Sequence, residues 1–368
     1  MSAHLPDLDA AHVDRTLQRL ITNLVELKDA SGEFLLKLDD GRVIDTKGWN
    51  DWEWTHGIGL YGIYKYYQLT GSARCRQIIT DWFRDRFQTG TPTKNVNTMA
   101  PFLTLANLYE ESGEKTYVPY LDTWAEWVMH DMPRTEEGGL QHIVFNSENP
   151  QQLWDDTLMM CVLPLARIGQ VLGRPQYIEE ARRQFMLHVK YLHDRRTGLW
   201  FHGWTFDGRH NFAEALWARG NCWVTIAIPE FIEMLDLPPG DALRQFLLAT
   251  LEAQVRTLAQ HQDDSGLWHT LIDDPGSYLE ASATAGFAYG ILKSVRKRYL
   301  PASYREVGMK ALRGVLANIA ADGELQNVSF GTAMGHDLDF YRRIPLTPMP
   351  YGQAMAMLCL GEFLRARV

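Results

Sequence analysis

Two consecutive stretches decide the fold. The first is Thr157-Leu158-Met159-Met160-Cys161-Val162-Leu163-Pro164-Leu165-Ala166-Arg167-Ile168-Gly169-Gln170-Val171, and the second runs from Pro175 to His193. The first is apolar almost all round, as a helix buried on every side must be. The second keeps Ile178, Ala181, Phe185, Val189 and Leu192 on one stripe and puts Glu179, Glu180, Arg182, Arg183 and Lys190 elsewhere. That is the pattern of a helix with one wet face. A buried helix followed by a half-buried one is a single hairpin of a two-layer structure.

Working outward, the same i, i+3, i+4, i+7 spacing predicts twelve helices. They lie near 8–28, 51–70, 73–88, 98–112, 115–130, 156–172, 175–193, 216–235, 240–260, 279–297, 302–319 and 348–365. Twelve helices make six hairpins, and alternating inner and outer helices predict an all-α, (α/α)6 barrel. Gly71, Gly113 and Gly173 each follow an inner helix, where a left-handed C-terminal residue is wanted. A second set follows outer helices: Gly139-Leu140-Gln141-His142, Gly198-Leu199-Trp200-Phe201-His202 and Gly266-Leu267-Trp268-His269, with Gly32 and Gly323 heading weaker copies. These outer-to-inner connections are long, which marks them as the functional end of the scaffold, with short strands expected in them. Residues 320–347 form the longest irregular stretch, a candidate lid or cleft wall. No Pro- or Ser-rich linker interrupts the chain, so one domain is expected over 1–368.

Bulk properties narrow the function. The chain has 368 residues, 46% hydrophobic and 22% charged, enough to bury roughly three quarters of its unfolded surface without a metal or disulfide staple. A net charge of −9 and a pI near 5.7 argue against nucleic acid as a partner, but leave room for a small anionic ligand. Cys75, Cys161, Cys222 and Cys359 lie far apart with no CxxC, which fits a reducing compartment. The first twenty residues lack a secretory pattern, and no apolar run of roughly 18 residues spans a membrane. A cytoplasmic protein, monomeric or homodimeric, is the expectation.

Chemistry concentrates between residues 154 and 223. Trp154-Asp155-Asp156-Thr157 stands directly before the buried helix. Asp is a good N-cap, but two neighbours cannot both be the cap; Asp155 is the expected cap and Asp156 the expected acid. Catalysis at neutral pH would need Asp156 protonated, about three units above its ordinary value of roughly 3.9; neighbouring indoles push that way and the helix terminus opposes them. Gly198-Leu199-Trp200-Phe201-His202-Gly203-Trp204 sets an imidazole among glycines and indoles, and His142 and His269 hold the matching places in sister loops. In Trp217-Ala218-Arg219-Gly220-Asn221-Cys222-Trp223, Arg219 offers either a planar fork to a carboxylate or a structural pair to an acid. Trp49, Trp52 and Trp54 precede His56, and Asn97 precedes the fourth helix; each is either ligand-facing or structural. The histidines lack local metal-ligand spacing, so neither a metal nor another cofactor is expected, and no Walker loop, GxGxxG, HExxH or GxSxG occurs.

At these residues the chain resembles glycoside hydrolase family 105, the unsaturated rhamnogalacturonyl hydrolases. The matching pieces are Trp154-x-Asp156-Thr157-Leu158 with Met160, His202-Gly203-Trp204, Trp217-x-Arg219-Gly220-Asn221-x-Trp223, and Glu280-Ala281-Ser282-Ala283. The resemblance implies an (α/α)6 barrel and a metal-free hydrolase for small anionic oligosaccharides ending in a 4,5-unsaturated uronic acid. It implies Asp156 as the catalytic acid, with Trp154, His202, Trp217, Arg219 and Trp223 lining the sugar site and His142 joining them. Asn97 stands where related enzymes often have a second aspartate, and Ala218 and Cys222 replace glycines of the pattern. The rivals are a sister hydrolase of unsaturated glucuronyl units from glycosaminoglycan- or ulvan-type fragments, a sugar epimerase using His202 and His269, and a binding protein that kept the fold.

Overall fold

A computed structural model describes residues 8–38 and 40–366; Met1–Asp7, part of the N-terminal stretch read above, lie outside the described residues. Six outer helices are α1 (Ala10–Glu26), α3 (Ala73–Thr89), α6 (Val118–Glu126), α8 (Pro175–Leu192), α10 (Ala242–His261) and α12 (Arg305–Ala317). Six inner helices are α2 (Trp54–Thr70), α5 (Phe102–Ser112), α7 (Leu163–Val171), α9 (Ala218–Met234), α11 (Ala281–Arg296) and α14 (Pro350–Arg365). Each inner helix packs against the next, α2 to α5, α7, α9, α11, α14 and back to α2, and the outer helices flank this ring. The expected six-hairpin barrel is therefore the one observed.

Burial follows the sequence pattern. Every residue of α9 from Ala218 to Ile232 is buried, whereas α8 buries one stripe including Tyr177, Ala181, Phe185, Val189 and Leu192. Two details of winding differ from the expectation. Pro101 divides the fourth predicted helix into α4 (Val96–Met99) and α5. Before α7, Leu158–Val162 is wound as a π-helix. Pro164 lacks the N–H that the Met160 carbonyl would take four residues back, and π turns of this kind recur at functional sites.

The glycine punctuation has two jobs. Gly71 and Gly113 close inner helices in the left-handed conformation, φ 69° and 65°. After outer helices, Gly198, Gly266 and Gly323 sit against the backbone of the next outer helix: a Cβ at Gly198 would lie 2.6 Å from the Ala253 carbonyl oxygen of α10. In the copy before α7 the left-handed residue is Gly138 (φ 76°) rather than Gly139, and it sits against the Arg183 side chain of α8.

All three small sheets lie in the long connections. β1 (Leu35–Lys37) pairs with β2 (Val43–Asp45), β3 (Gln152–Trp154) with β4 (Gly203–Thr205), and β5 (Trp268–His269) with β6 (Leu279–Glu280), all antiparallel. The stretch 320–347 carries only one short helix, α13 (Leu338–Arg342). No described helix is long and apolar enough to cross a membrane.

Candidate active site

Strand pairing assembles the clusters that sequence separates. In β3–β4, Trp154 faces Gly203, and the Asp155 N–H donates to the His202 carbonyl at 3.1 Å. The His202 N–H donates to the Ala215 carbonyl at 3.1 Å, which draws in the third cluster. The result is a cavity of about 360 Å³ at the mouth where the long connections meet. It lies at the small end of ligand pockets, roughly 300–1,000 Å³. Trp54, Asn97, His142, Trp154, Asp156, Trp217 and Arg219 all line it, together with Glu53, Met160 and the Phe330–Ala333 wall from the long irregular stretch.

Of the two adjacent aspartates, Asp156 faces this space; its side chain is 17% exposed, whereas Asp155 is sealed. Asp155 does not cap α7, contrary to expectation: its side chain makes no capping bond. It presses instead on Gly220, where a Cβ would lie 2.7 Å from Oδ1, so the glycine at 220 gives room to a carboxyl. Burial, then the adjacent Asp156, pushes the Asp155 carboxyl well above the ordinary range. Burial also acts to raise Asp156. It is outweighed by the hydrogen bond and charge of His202, the charge of His142 and the hydrogen bond from Asp155, which together hold it at about 2. Asp155 is thus the member of the pair that holds its proton to higher pH, and Asp156 the one that ionises first.

His202 corrects a second expectation. It does not line the cavity; it lies behind Asp156, its Nε2 3.3 Å from Oδ2. Its Nδ1 is 2.7 Å from the hydroxyl of Tyr341, which accepts from the Gly335 N–H at 3.1 Å. The tyrosine proton is therefore directed to Nδ1, which puts the ring's own proton on Nε2, the nitrogen nearest Asp156. His142 does line the cavity. Its ring stacks on Trp154 with centroids 4.1 Å apart, its Nδ1 is 2.8 Å from the Thr157 hydroxyl, and burial lowers its pKa to about 3.

Two more residues are placed differently from expectation. Trp223 is fully buried and absent from the lining; it packs edge-on to Trp54, which itself stacks on Tyr351 at 4.5 Å. Arg219 reaches the cavity, but its fork is occupied. Nη1 donates to the Ser329 carbonyl (2.6 Å) and hydroxyl, and Nη2 to the Phe330 carbonyl at 2.7 Å, with the guanidinium over the Trp217 ring. Glu280 binds the same segment by accepting from the Ser329 N–H at 2.9 Å. Arg219 and Glu280 thus set the Phe330–Ala333 wall. Arg219→Lys, which replaces a planar fork spanning two carbonyls and a hydroxyl by a single compact ammonium, is expected to cost about 1–3 kcal/mol and to open residues 328–333 to limited proteolysis. Equal protease resistance would remove the assignment.

Sequence reading missed Tyr341, which is 139 residues from His202 and carries no local signal. It also missed Glu53, although an acid directly before an inner helix is the signal that singled out Asp156. Asp155, Asp156 and His202 form a carboxylate–histidine group whose ligand atoms lie within 4.8 Å of one another, a grouping built by strand pairing and invisible to local spacing. A larger cavity, about 560 Å³, opens at the other end of the barrel. Its acids are committed: Glu230 to Lys65, Lys293, Tyr61 and Tyr289, and Glu362 to Arg296.

A carboxyl pair backed by histidine in an indole-lined, sugar-sized cavity, on a six-hairpin barrel, is the equipment of a glycoside hydrolase. Residues 27–367 match the sequence model of Glycosyl Hydrolase Family 88. The crystal structure of a possible member of the GH105 family from Salmonella enterica serovar Paratyphi A is 62% identical, with TM-score 0.97, covering 100% of this chain and 99% of that one. A second possible GH105 member, from Klebsiella pneumoniae, gives 62% identity and TM-score 0.97 over 100% and 98%. Unsaturated rhamnogalacturonyl hydrolase YesR of Bacillus subtilis is 32% identical over 319 residues, 86% of this chain and 90% of the relative. The chain belongs to the family this model describes and, with these neighbours, to glycoside hydrolase family 105.

Proposed function

We propose that the chain removes a 4,5-unsaturated uronic acid from the non-reducing end of lyase-generated oligosaccharides, with an unsaturated rhamnogalacturonan disaccharide as preferred substrate. The observation that carries this reading is Asp156, a cavity-lining carboxyl 3.3 Å from His202 Nε2 and directly beside the buried Asp155, whose carboxyl burial pushes well up. The name of the Bacillus relative supports the choice of sugar. The C4=C5 bond of such a substrate is a vinyl ether, electron-rich at C4. An anionic sugar beside Asp156 raises that carboxyl's affinity for a proton. Asp156 delivers the proton to C4, and positive charge forms at C5, shared with the ring oxygen. Water adds at C5 and returns a proton to Asp156; the hemiketal opens and the neighbouring sugar leaves. Indoles at Trp54, Trp154 and Trp217 supply apolar faces for the sugar rings.

The chain acts as one barrel domain, and the proposed compartment is the cytoplasm, supported by four buried free thiols. The epimerase reading loses its geometry: His269 is absent from the lining and bonds the Ser277 carbonyl at 2.5 Å, while His202 lies behind Asp156. The test is loss of the ultraviolet absorbance of the conjugated uronide across a panel of unsaturated disaccharides. The rhamnogalacturonan member is expected to be consumed fastest, and prolonged EDTA dialysis is expected to leave the rate unchanged. Faster loss with a glycosaminoglycan disaccharide would transfer the assignment to the sister activity, and a rate abolished by EDTA and restored by a divalent metal would overturn the acid–base mechanism.

A further inference from the structure

Glu53 is a second carboxyl in the cavity, and the catalytic steps above do not use it. It precedes α2 with an extended backbone (φ −149°, ψ 171°), and its Oε2 accepts from the Thr55 N–H at 3.4 Å. The residue is 2% exposed. Among the described residues it has no cationic partner, and Asn97 from α4 reaches its carboxyl through the side-chain amide. A buried acid with no cation has a purpose in a cavity that admits an anion. The arginine there has given its fork to carbonyls, and Asp156 already carries negative charge. An ionised Glu53 would repel a uronate and offer no hydrogen to it. A protonated Glu53 adds no charge and offers one O–H.

We propose that Glu53 is a substrate-binding residue that meets the terminal uronate as a neutral carboxylic acid, donating a hydrogen bond to the sugar carboxylate while Asn97 fixes its orientation. This rests on the uronate reading above. Burial, the largest influence, pushes the Glu53 carboxyl up to about 8, against hydrogen bonds from Thr55, Asn97 and Trp54 and with added repulsion from Asp51. The other titratable or charged groups on the cavity are His142 from the connection before α7, Asp156 before the π turn, and Arg219 on α9. His142 and Asp156 titrate near 3 and 2, and a guanidinium does not titrate in this range. Asn97 is what α4 contributes, and the β1–β2 hairpin and the 330–333 wall present no ionisable side chain to the cavity. Glu53 is thus the cavity-lining group that burial moves to the alkaline side; Asp155, sealed behind Asp156, is the other acid raised by burial, and it stays in place in a Glu53 variant.

The experiment is the pH dependence of affinity for the unsaturated rhamnogalacturonan disaccharide in the wild type and in Glu53→Gln. Affinity is read as KM if the sugar is turned over and as Kd by calorimetry if it is not. In the wild type, affinity is expected to be flat below about 8 and to weaken by about tenfold per pH unit above it. In Glu53→Gln, whose amide donates a weaker hydrogen bond than a carboxylic acid and cannot ionise, affinity is expected to be about threefold lower than in the wild type at pH 7 and to lose the weakening above about 8. The methyl ester of the uronate is expected to show no alkaline weakening in either protein. Alkaline weakening of the same size in Glu53→Gln as in the wild type, a wild-type profile without it, or no binding at any pH overturns the proposal. Turnover with a flat profile removes Glu53 alone. A pH-dependent Kd without turnover removes the hydrolytic reading and leaves Glu53 in place.

Discussion

Asp156→Asn is expected to lower kcat for the unsaturated disaccharide by about 10²–10⁴-fold, the range that one positioned acid–base group contributes, while KM changes only a few-fold. The amide keeps the shape of the carboxyl, and its neighbours His202 and Asp155 remain, but it cannot carry a proton to C4. Uniform binding by the indoles and His142 survives, so the loss falls on kcat. The absorbance assay checks it, with circular dichroism to confirm the fold. Full activity in this variant would sink the mechanism. The pair also sets the direction of the pH profile. Asp155 is raised well above the ordinary range and holds the proton that Asp156 must deliver. Activity should therefore decline as pH rises through the region where the pair loses that proton.

The other large effect is expected far from the sugar. Lys293→Met is predicted to destabilise the barrel by about 3–5 kcal/mol, the cost of breaking a buried ion pair from one side. Lys293 is 1% exposed and bonds Glu230 Oε1 and Glu233 Oε2, each at 2.5 Å. Glu230 also accepts from Tyr61 at 2.6 Å and pairs with Lys65 at 3.3 Å. Urea unfolding at pH 7 measures the loss, and Glu230→Gln in the same chain should recover part of it because the stranded charge is gone. A loss below about 1 kcal/mol, the size of a surface pair, would show that water reaches this cluster. The sign with pH follows from Glu230 and Glu233, whose carboxyls are held below their ordinary 4.5, Glu233 at about 2, by Lys293 against the effect of burial. Their contribution is fully present above 4.5 and is lost as pH falls from there towards 2.

The scaffold was readable because its signals are local. Continuous apolarity in 157–171 and a stripe in 175–193 need only neighbouring residues to be recognised, and six repeats of that contrast leave few architectures. The cavity-lining position of Asp156, the proposed acid, was readable for the same reason, since it adjoins the buried helix. What was misread depends on partners distant in sequence. Arg219 meets Ser329 and Phe330, 110 and 111 residues away, so a fork that looks free in Trp217-x-Arg219 is occupied. His202 reaches Asp156 through strand pairing and is oriented by Tyr341. Trp223 lies six residues beyond Trp217, about two thirds of a turn past a full one, so it turns away from the cavity that Trp217 faces. Glu53 was hidden by its neighbours, Trp52 and Trp54, which drew the reading towards aromatic stacking.

The closed ring has a kinetic consequence. Its last seam joins α1 to α14, where the Gln353 amide reaches Asn23 across 330 residues of sequence. Five hairpins can form between sequence neighbours, but this seam brings together segments separated by nearly the whole chain, with a loop-closure entropy on the order of 5 kcal/mol. Until it forms, α14 and α1 each expose a flank that matches what the other would cover. Such a species can complete the seam with a second molecule in place of itself, by domain exchange. Refolding yield should therefore fall with protein concentration, even though each individual hairpin is local and quick to form.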